Sequence, residues 1–312
     1  MNGGLNKLVS VVIPCYNSER SIREVVEQVA QQFEAMPAYA CEFVLVNDNS
    51  KDGTFEEIRR LAAEYPFVHG INLMRNFGQH NALMCALHYV KGDLVLGMDD
   101  DLQCQPSQIP LLVDKIAEGY DLVYGVYREA PNGPVKNFTS WLNKVTARKL
   151  LGRPKDIRSS NFWIITNQLR EQVIRYSNYN PQLDALFTRM TSNIGNVTVE
   201  PHEREYGSSG YTFSKMVKLW LAYFNYTVLP LRAVSVIGFV SAVLGFIFGV
   251  ITFVRKLITP DMFVGWTSTI CILVFFFGLV LLTLGIIGEY IGNIVLSING
   301  TPQFIVREKV NL

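Results

Sequence analysis

Between positions 8 and 127 the chain alternates short runs of aliphatic and β-branched residues with longer stretches whose apolar positions recur every three or four. The runs at 8–13, 42–46, 68–73, 94–98 and 122–126 predict strands, and the stretches at 21–33, 54–64, 79–90 and 106–118 predict helices. Nearly continuous apolar strands separated by helices are what a parallel sheet covered on both faces requires. The pattern therefore predicts an α/β domain with a mostly parallel, Rossmann-like sheet. Beyond it, strands are expected at 162–165 and 197–200, with helices at 168–176 and 182–191.

From 212 to 228 the pattern changes: Lys215 and Lys218 interleave with Phe213, Val217, Leu219, Trp220, Leu221, Tyr223 and Phe224. This reads as an amphipathic helix lying in a membrane interface, or as an ordinary surface helix packed on the domain. Two stretches without Asp, Glu, Lys or Arg follow at 233–254 and 262–288. Each exceeds the roughly 20 residues needed to span a bilayer. The short link at 255–261, with Pro260, predicts an antiparallel hairpin. Lys215, Lys218, Arg232, Arg307 and Lys309 flank that hairpin against Arg255 and Lys256 in its loop, a bias that places the flanks in the cytoplasm. The expected organisation is a cytoplasmic catalytic domain at 1–210, an interfacial helix at 211–232, two transmembrane helices at 233–290 and a cytoplasmic tail at 291–312. Gly238, Gly245 and Gly249 give the hairpin a face that would suit packing in a homo-oligomer.

Composition narrows the function. With 28 basic and 27 acidic residues in 312, the chain lacks the positive balance of a nucleic-acid binder. Its five cysteines form no Cys-x-x-Cys pair, so neither a disulfide framework nor a zinc site is indicated. The apolar run near the N-terminus is too short for a signal-peptide core, which predicts a cytosolic N-terminal domain.

Ligands of open α/β sheets collect beyond the carboxyl ends of the strands. Four strand ends here lead into polar segments: Pro14 to Glu19, Asn47 to Gly53, Arg75 to His80 and Asp99 to Gln103. Asp99, Asp100 and Asp101 follow an apolar strand, where repulsion and desolvation oppose three like charges. A hard cation such as Mg²⁺ or Mn²⁺ resolves that conflict by taking carboxylate and substrate phosphate oxygens. Alternation along extended chain would turn Asp99 and Asp101 to one side. Taken alone, the triplet also reads as a solvated helix cap, and the 48–53 segment as a turn before a capped helix. On one rim, they read together as a nucleoside pocket with Asp48 accepting bonds from base or ribose, and Pro14 and Tyr16 on its apolar side.

The succession Ser10-Val-Val-Ile-Pro-Cys-Tyr-Asn17, Val46-Asn-Asp48-Asn-Ser50-Lys-Asp52-Gly-Thr54, Arg75-Asn-Phe-Gly-Gln79-His80 and Asp99-Asp-Asp101-Leu-Gln103 resembles the family 2 inverting glycosyltransferases of GT-A fold. Arg204-x-x-Gly207-x-Ser209-x-Tyr211 and Gly288-Glu-Tyr-Ile-Gly292 resemble the polyprenyl-phosphate branch of that family, which includes dolichol-phosphate mannose synthase. The resemblance implies transfer of one sugar from a nucleotide sugar, UDP-linked by family breadth, to polyprenyl (undecaprenyl) phosphate in the bacterial inner membrane, for cell-envelope or lipopolysaccharide modification. It implies nucleotide contacts from Pro14, Tyr16, Asn17, Glu19, Asp48, Ser50, Asp52, Arg75, Gln79, Asp99 and Asp100. Asp101, with Asp99, would hold the metal and serve catalysis, and Asp100 occupies the variable middle position.

The acceptor is itself a phosphate, largely ionised near pH 7 because its second pKa is about 6. Charge repulsion between two phosphorylated substrates is then the greater obstacle, and cationic groups would have to offset it. Gln103, Arg128, Lys136, Arg204, Ser209 and Tyr211 are the candidates for donor or acceptor phosphate contact. Two departures from the family pattern stand out: Gly210 replaces a lysine of the Arg-x-x-Gly-x-Ser-Lys-Tyr pattern, and Asn161 falls where relatives carry an acidic residue suspected of base duty. Asp156 fits that duty only with a shift in position. A processive polysaccharide synthase is the competing enzyme reading, but its Gln-x-x-Arg-Trp motif and further spans are absent. A membrane scaffold that binds nucleotide sugar without transferring it is the non-enzymatic alternative.

Overall fold

A computed structural model describes residues 7–127, 157–200, 229–258 and 265–312. Five strands and four helices form the first part: β1 (Lys7–Cys15), α1 (Ile22–Glu34), β2 (Tyr39–Asn47), α2 (Thr54–Glu64), β3 (Val68–Leu73), α3 (Gln79–Tyr89), β4 (Leu94–Gly97), α4 (Ile109–Ala117) and β5 (Leu122–Tyr127). After them come β6 (Trp163–Thr166), α5 (Asn167–Val173), α6 (Leu183–Met190), β7 (Ile194–Val199), α7 (Leu229–Ile258), α8 (Trp266–Ile298) and β8 (Val306–Val310).

The eight strands form one sheet in the order β7-β5-β6-β4-β1-β2-β3-β8. β4, β1, β2 and β3 run parallel, as the apolar runs predict, while β6 and β8 run antiparallel to their neighbours. Val9, Val11 and Ile13 of β1 pack into a core with Ile22, Val25, Val26, Val29 and Phe33 of α1 and with α2 and α4. The spacing of those α1 residues is one face of a helix. The fully buried Met84 and Cys85 of α3 lie outside that core, and α3 packs on β1 and β2 from the opposite side.

Two features differ from the sequence expectation. The expected helix at 106–118 opens as a tight 3-10 turn over Pro106–Gln108 before α4 begins. The expected tail at 291–312 is divided: α8 continues to Ile298, and Val306–Val310 returns as an edge strand on β3. Of the expected interfacial helix, residues 211–228 lie outside the described residues, and Leu229 to Arg232 belong to α7.

The chain divides into two compact units, Met1–Lys215 with Gly300–Leu312, and Met216–Asn299. In the second, α7 contains the uncharged stretch at 233–254, and α8 contains the stretch at 262–288 from Trp266 on. Among the described residues Phe275–Ile298 is long and apolar enough to cross a membrane by length and composition. Phe239, Phe275 and Leu281 stand about 70% exposed.

Candidate active site

Each parallel strand hands the chain to the rim through a tight turn. Asn17 after β1 and Asn49 after β2 have φ of 57° and 55°, a left-handed conformation that asparagine tolerates better than most residues. Leu102 after β4 adopts φ 56° with its side chain buried, the kind of backbone strain that concentrates at functional sites.

The rim encloses a cavity of about 370 Å³ lined by Pro14, Cys15, Tyr16, Asp48, Asn76, Gly78, Gln79, Asp99, Asp100, Asp101 and Asn161. That lies in the about 300–1,000 Å³ range of small-molecule sites.

Asp48 forms the floor and is nearly inaccessible. Its Oδ1 accepts the Phe77 N–H (2.7 Å) and its Oδ2 the Gly78 N–H (2.8 Å). Burial raises the Asp48 pKa, and these two donors pull it back. Gly78 has φ 90°, which a side chain would strain, so glycine allows the loop to fold over Asp48.

The three carboxylates of the triplet have separate surroundings. Asp99 accepts the Gln79 amide at 2.7 Å and the Asn161 amide at 2.9 Å. Burial pushes its pKa up to about 6; the Asn161 hydrogen bond lowers it, while Asp101 and Asp100 raise it further. Asp100 turns toward the β1 loop, where its Oδ2 accepts the Ser18 hydroxyl and the Tyr16 N–H. Burial raises its pKa despite those bonds. Asp101 Oδ1 accepts the Gln103 N–H at 3.2 Å and closes the turn. Among the described residues no three His, Cys, Asp or Glu side chains form a cation cage. Mg²⁺ is commonly bound by one or two carboxylates together with substrate phosphates, and Asp99 and Asp101 are two carboxylates on the lining of this cavity.

Of the residues expected to meet a nucleotide, Pro14, Tyr16, Asp48, Gln79, Asp99 and Asp100 line the cavity. Asn17, Glu19, Ser50 and Asp52 instead latch the first two rim loops together. Asn17 Oδ1 accepts the Lys51 N–H, Ser50 Oγ accepts the Asn17 N–H, Glu19 Oε2 accepts the Gly53 N–H and Asp52 Oδ2 accepts the Glu19 N–H. Arg75 is exposed and stacks over the Phe77 ring at 4.6 Å. The Gln103 carbonyl accepts the Tyr127 hydroxyl at 3.2 Å. Arg128, Lys136, Asp156, Arg204, Ser209 and Tyr211 lie outside the described residues.

Cys15, Asn76 and Gly78 line the cavity and were not among the expected site residues, while Asn161, noted in the sequence only as a departure from an acidic position, lines it too. Asn161 comes to the cavity because it lies two residues before β6, whose Trp163 pairs with Gly97, two residues before Asp99.

Residues 10–178 match the family profile described as glycosyl transferase family 2. The chain belongs to glycosyltransferase family 2. It is 34% identical over 317 residues to an undecaprenyl-phosphate 4-deoxy-4-formamido-L-arabinose transferase of Proteus mirabilis, covering 99% of this chain and 95% of the relative. The enzyme of that name from Shewanella sediminis is 33% identical over 312 residues, covering 96% and 92%. Among solved structures, glucosyl-3-phosphoglycerate synthase from Mycobacterium tuberculosis in complex with Mn²⁺, UDP-glucose and phosphoglyceric acid superposes with a TM-score of 0.51 at 17% identity, over 70% of this chain and 78% of that one. The fold of this glycosyltransferase is GT-A-like, with a mostly parallel sheet.

Proposed function

We propose that this glycosyltransferase moves one sugar from a nucleoside-diphosphate sugar to polyprenyl phosphate, undecaprenyl phosphate in a bacterium, with inversion at the anomeric carbon. The observation that carries the reading is the acidic rim cavity, in a chain that aligns over nearly its whole length with undecaprenyl-phosphate sugar transferases. The donor is taken as a UDP-sugar, as the family resemblance implies, and 4-deoxy-4-formamido-L-arabinose is the first sugar to try because the relatives are named for it.

Pro14, Tyr16 and Asp48 would hold the nucleoside. Asp99 and Asp101 would hold Mg²⁺ or Mn²⁺ against the diphosphate, where a divalent cation neutralises charge on the departing group. Gln79 and Asn161 fix the orientation of Asp99. The acceptor phosphate oxygen attacks the anomeric carbon, a new C–O bond forms, and the bond to the diphosphate breaks with its electron pair leaving on the diphosphate. The attacking phosphate is already ionised, so the transfer needs no strong base, and the absence of a carboxylate at Asn161 is compatible with it. Arg128, Lys136, Arg204, Ser209, Tyr211 and Gln103 remain the proposed phosphate contacts.

Exposed Phe and Leu side chains on α7 and α8 support a membrane setting, since each is worth about 1.5–3 kcal/mol when withdrawn from water. We place both helices in the inner membrane and the GT-A-like domain in the cytoplasm, following the Lys/Arg bias.

The test is a transfer assay with the full chain in detergent, undecaprenyl phosphate, a panel of nucleotide sugars and Mg²⁺ or Mn²⁺. A lipid phosphate carrying one sugar is expected, with loss of product in EDTA and in Asp101→Ala. A polymeric product, nucleotide binding without transfer, or full turnover in EDTA would defeat the proposal.

A further inference from the structure

The strand that follows α8 does more than close the edge of the sheet. β8 pairs Val310 with Gly70, Lys309 with Ile71 and Glu308 with Asn72, and then breaks step so that Val306 faces Leu73. Arg307 is left without an opposite residue. Such a bulge redirects a side chain and sharpens the local twist. Here the redirected Arg307 Nη2 donates to the Met74 carbonyl at 3.0 Å, and the Ile305 carbonyl accepts the Met74 N–H at 2.9 Å. Both backbone groups of the first residue after β3 are therefore held by β8 and the residue just before it.

Met74 opens the loop that folds over the cavity floor. Three and four residues on, Phe77 and Gly78 donate to Asp48, and Asn76, Gly78 and Gln79 line the cavity. The rest of the C-terminal segment is anchored independently of Arg307. Gln303 Nε2 donates to the Tyr176 and Asn178 carbonyls, both at 2.7 Å, and Asn311 Nδ2 donates to the Pro66 and Val68 carbonyls, both at 2.9 Å. Lys309 Nζ lies 4.5 Å from the Tyr89 ring centre. Arg307 itself is exposed, so removing its side chain releases one carbonyl and leaves the strand in place.

We propose that Arg307 is a positioning residue for the nucleotide half of the donor site, acting through Met74 on the loop that clasps Asp48. The part of this that concerns nucleotide rests on the donor reading above; the part that concerns the loop does not.

The experiment compares the full chain in detergent with Arg307→Ala, Arg307→Lys and the neighbouring control Glu308→Ala. Amide hydrogen exchange over residues 74–78, the dissociation constant for UDP with Mn²⁺ and the thermal midpoint are measured for each. Arg307→Ala is expected to speed exchange at Phe77 and Gly78 about tenfold and to weaken UDP binding about fivefold, effects of the size of one hydrogen bond. Its midpoint stays near that of the parent. Arg307→Lys, which keeps a donor, recovers most of both, and Glu308→Ala changes neither. Unchanged exchange in Arg307→Ala overturns the proposal, as does equal acceleration in Glu308→Ala, which would mean general loosening of β8. Faster exchange with unchanged UDP affinity overturns the nucleotide part. If the parent protein binds no UDP, the donor reading fails, and the exchange pattern alone decides the positioning role.

Discussion

The Asn161 side-chain amide donates to Asp99 Oδ2 at 2.9 Å, across the antiparallel pair formed by β4 and β6. The residue that departs from the family's acidic position is thus a donor to the triplet. Replacing it with alanine leaves Asp99 the Gln79 amide alone among the described residues, and turnover should fall about tenfold for the loss of one charge-assisted bond. Asn161→Asp, which adds a fourth carboxylate, should fall further and demand more Mg²⁺ or Mn²⁺. Metal titration of the transfer rate separates the two. A variant Asn161→Asp with faster turnover would show instead that a base at this position was lacking.

Asp100 and Asp101 should behave differently although they are adjacent. Asp101→Ala removes a proposed metal ligand, and kcat should drop about 10²- to 10³-fold. Asp100→Ala removes the tie to Ser18 and Tyr16; it should raise KM for the donor several-fold and spare kcat. Steady-state kinetics with saturating acceptor check both.

The middle aspartate also shows where the sequence ceases to be readable. Strand ends and their polar turns could be placed from apolar runs, because burial on both faces leaves a clear signature in β1 to β5. Convergence of Pro14, Asp48, Gln79 and the triplet follows from that parallel order. Which way a carboxylate turns at the rim depends on neighbours tens of residues away, so the Asp100–Ser18 tie and the latch among Asn17, Glu19, Ser50 and Asp52 carried no local signal. β8 was hidden for another reason. Its Val-Arg-Glu-Lys-Val sequence is charged as edge strands commonly are, and only the partner β3 makes it a strand. The phosphate candidates from Arg128 to Tyr211 remain expectations of the family resemblance.

Gly97 pairs with Trp163 where β4 meets β6, and a methyl group there would run into the indole. Neighbouring strands and Phe187, 5.0 Å from the Trp163 ring, hold that indole in place. Gly97→Ala should cost about 1–3 kcal/mol through overpacking. Because Asn161 lies two residues before β6, activity should fall along with the thermal midpoint. Denaturation and transfer assays on one preparation check the pairing of the two losses.

His80 Nδ1 is buried and has no hydrogen-bond partner among the described residues, and burial holds the imidazole pKa below its ordinary value. An unfolded histidine titrates near about 6.5. Above that pH the group is neutral in both states and adds no pH dependence. As pH falls below it, the unfolded chain takes up a proton that the folded one resists, so stability is lost. His80→Gln removes this component. The thermal midpoint of the parent should fall more steeply than that of the variant between about pH 6.5 and 5. Parallel curves would show that His80 takes up its proton equally in both states.

The edge strand β8 imposes an order on biosynthesis. β3 emerges from the ribosome early, yet the strand that covers its edge and grips Met74 follows only after the two long apolar helices have been made. Until then the nascent sheet carries a bare edge, a surface prone to pairing with other chains. On the proposed reading of the helices as membrane spans and of the rim cavity as the donor pocket, insertion of the one and completion of the other are linked in time. A fragment ending before α7 would lack the strand that finishes its sheet.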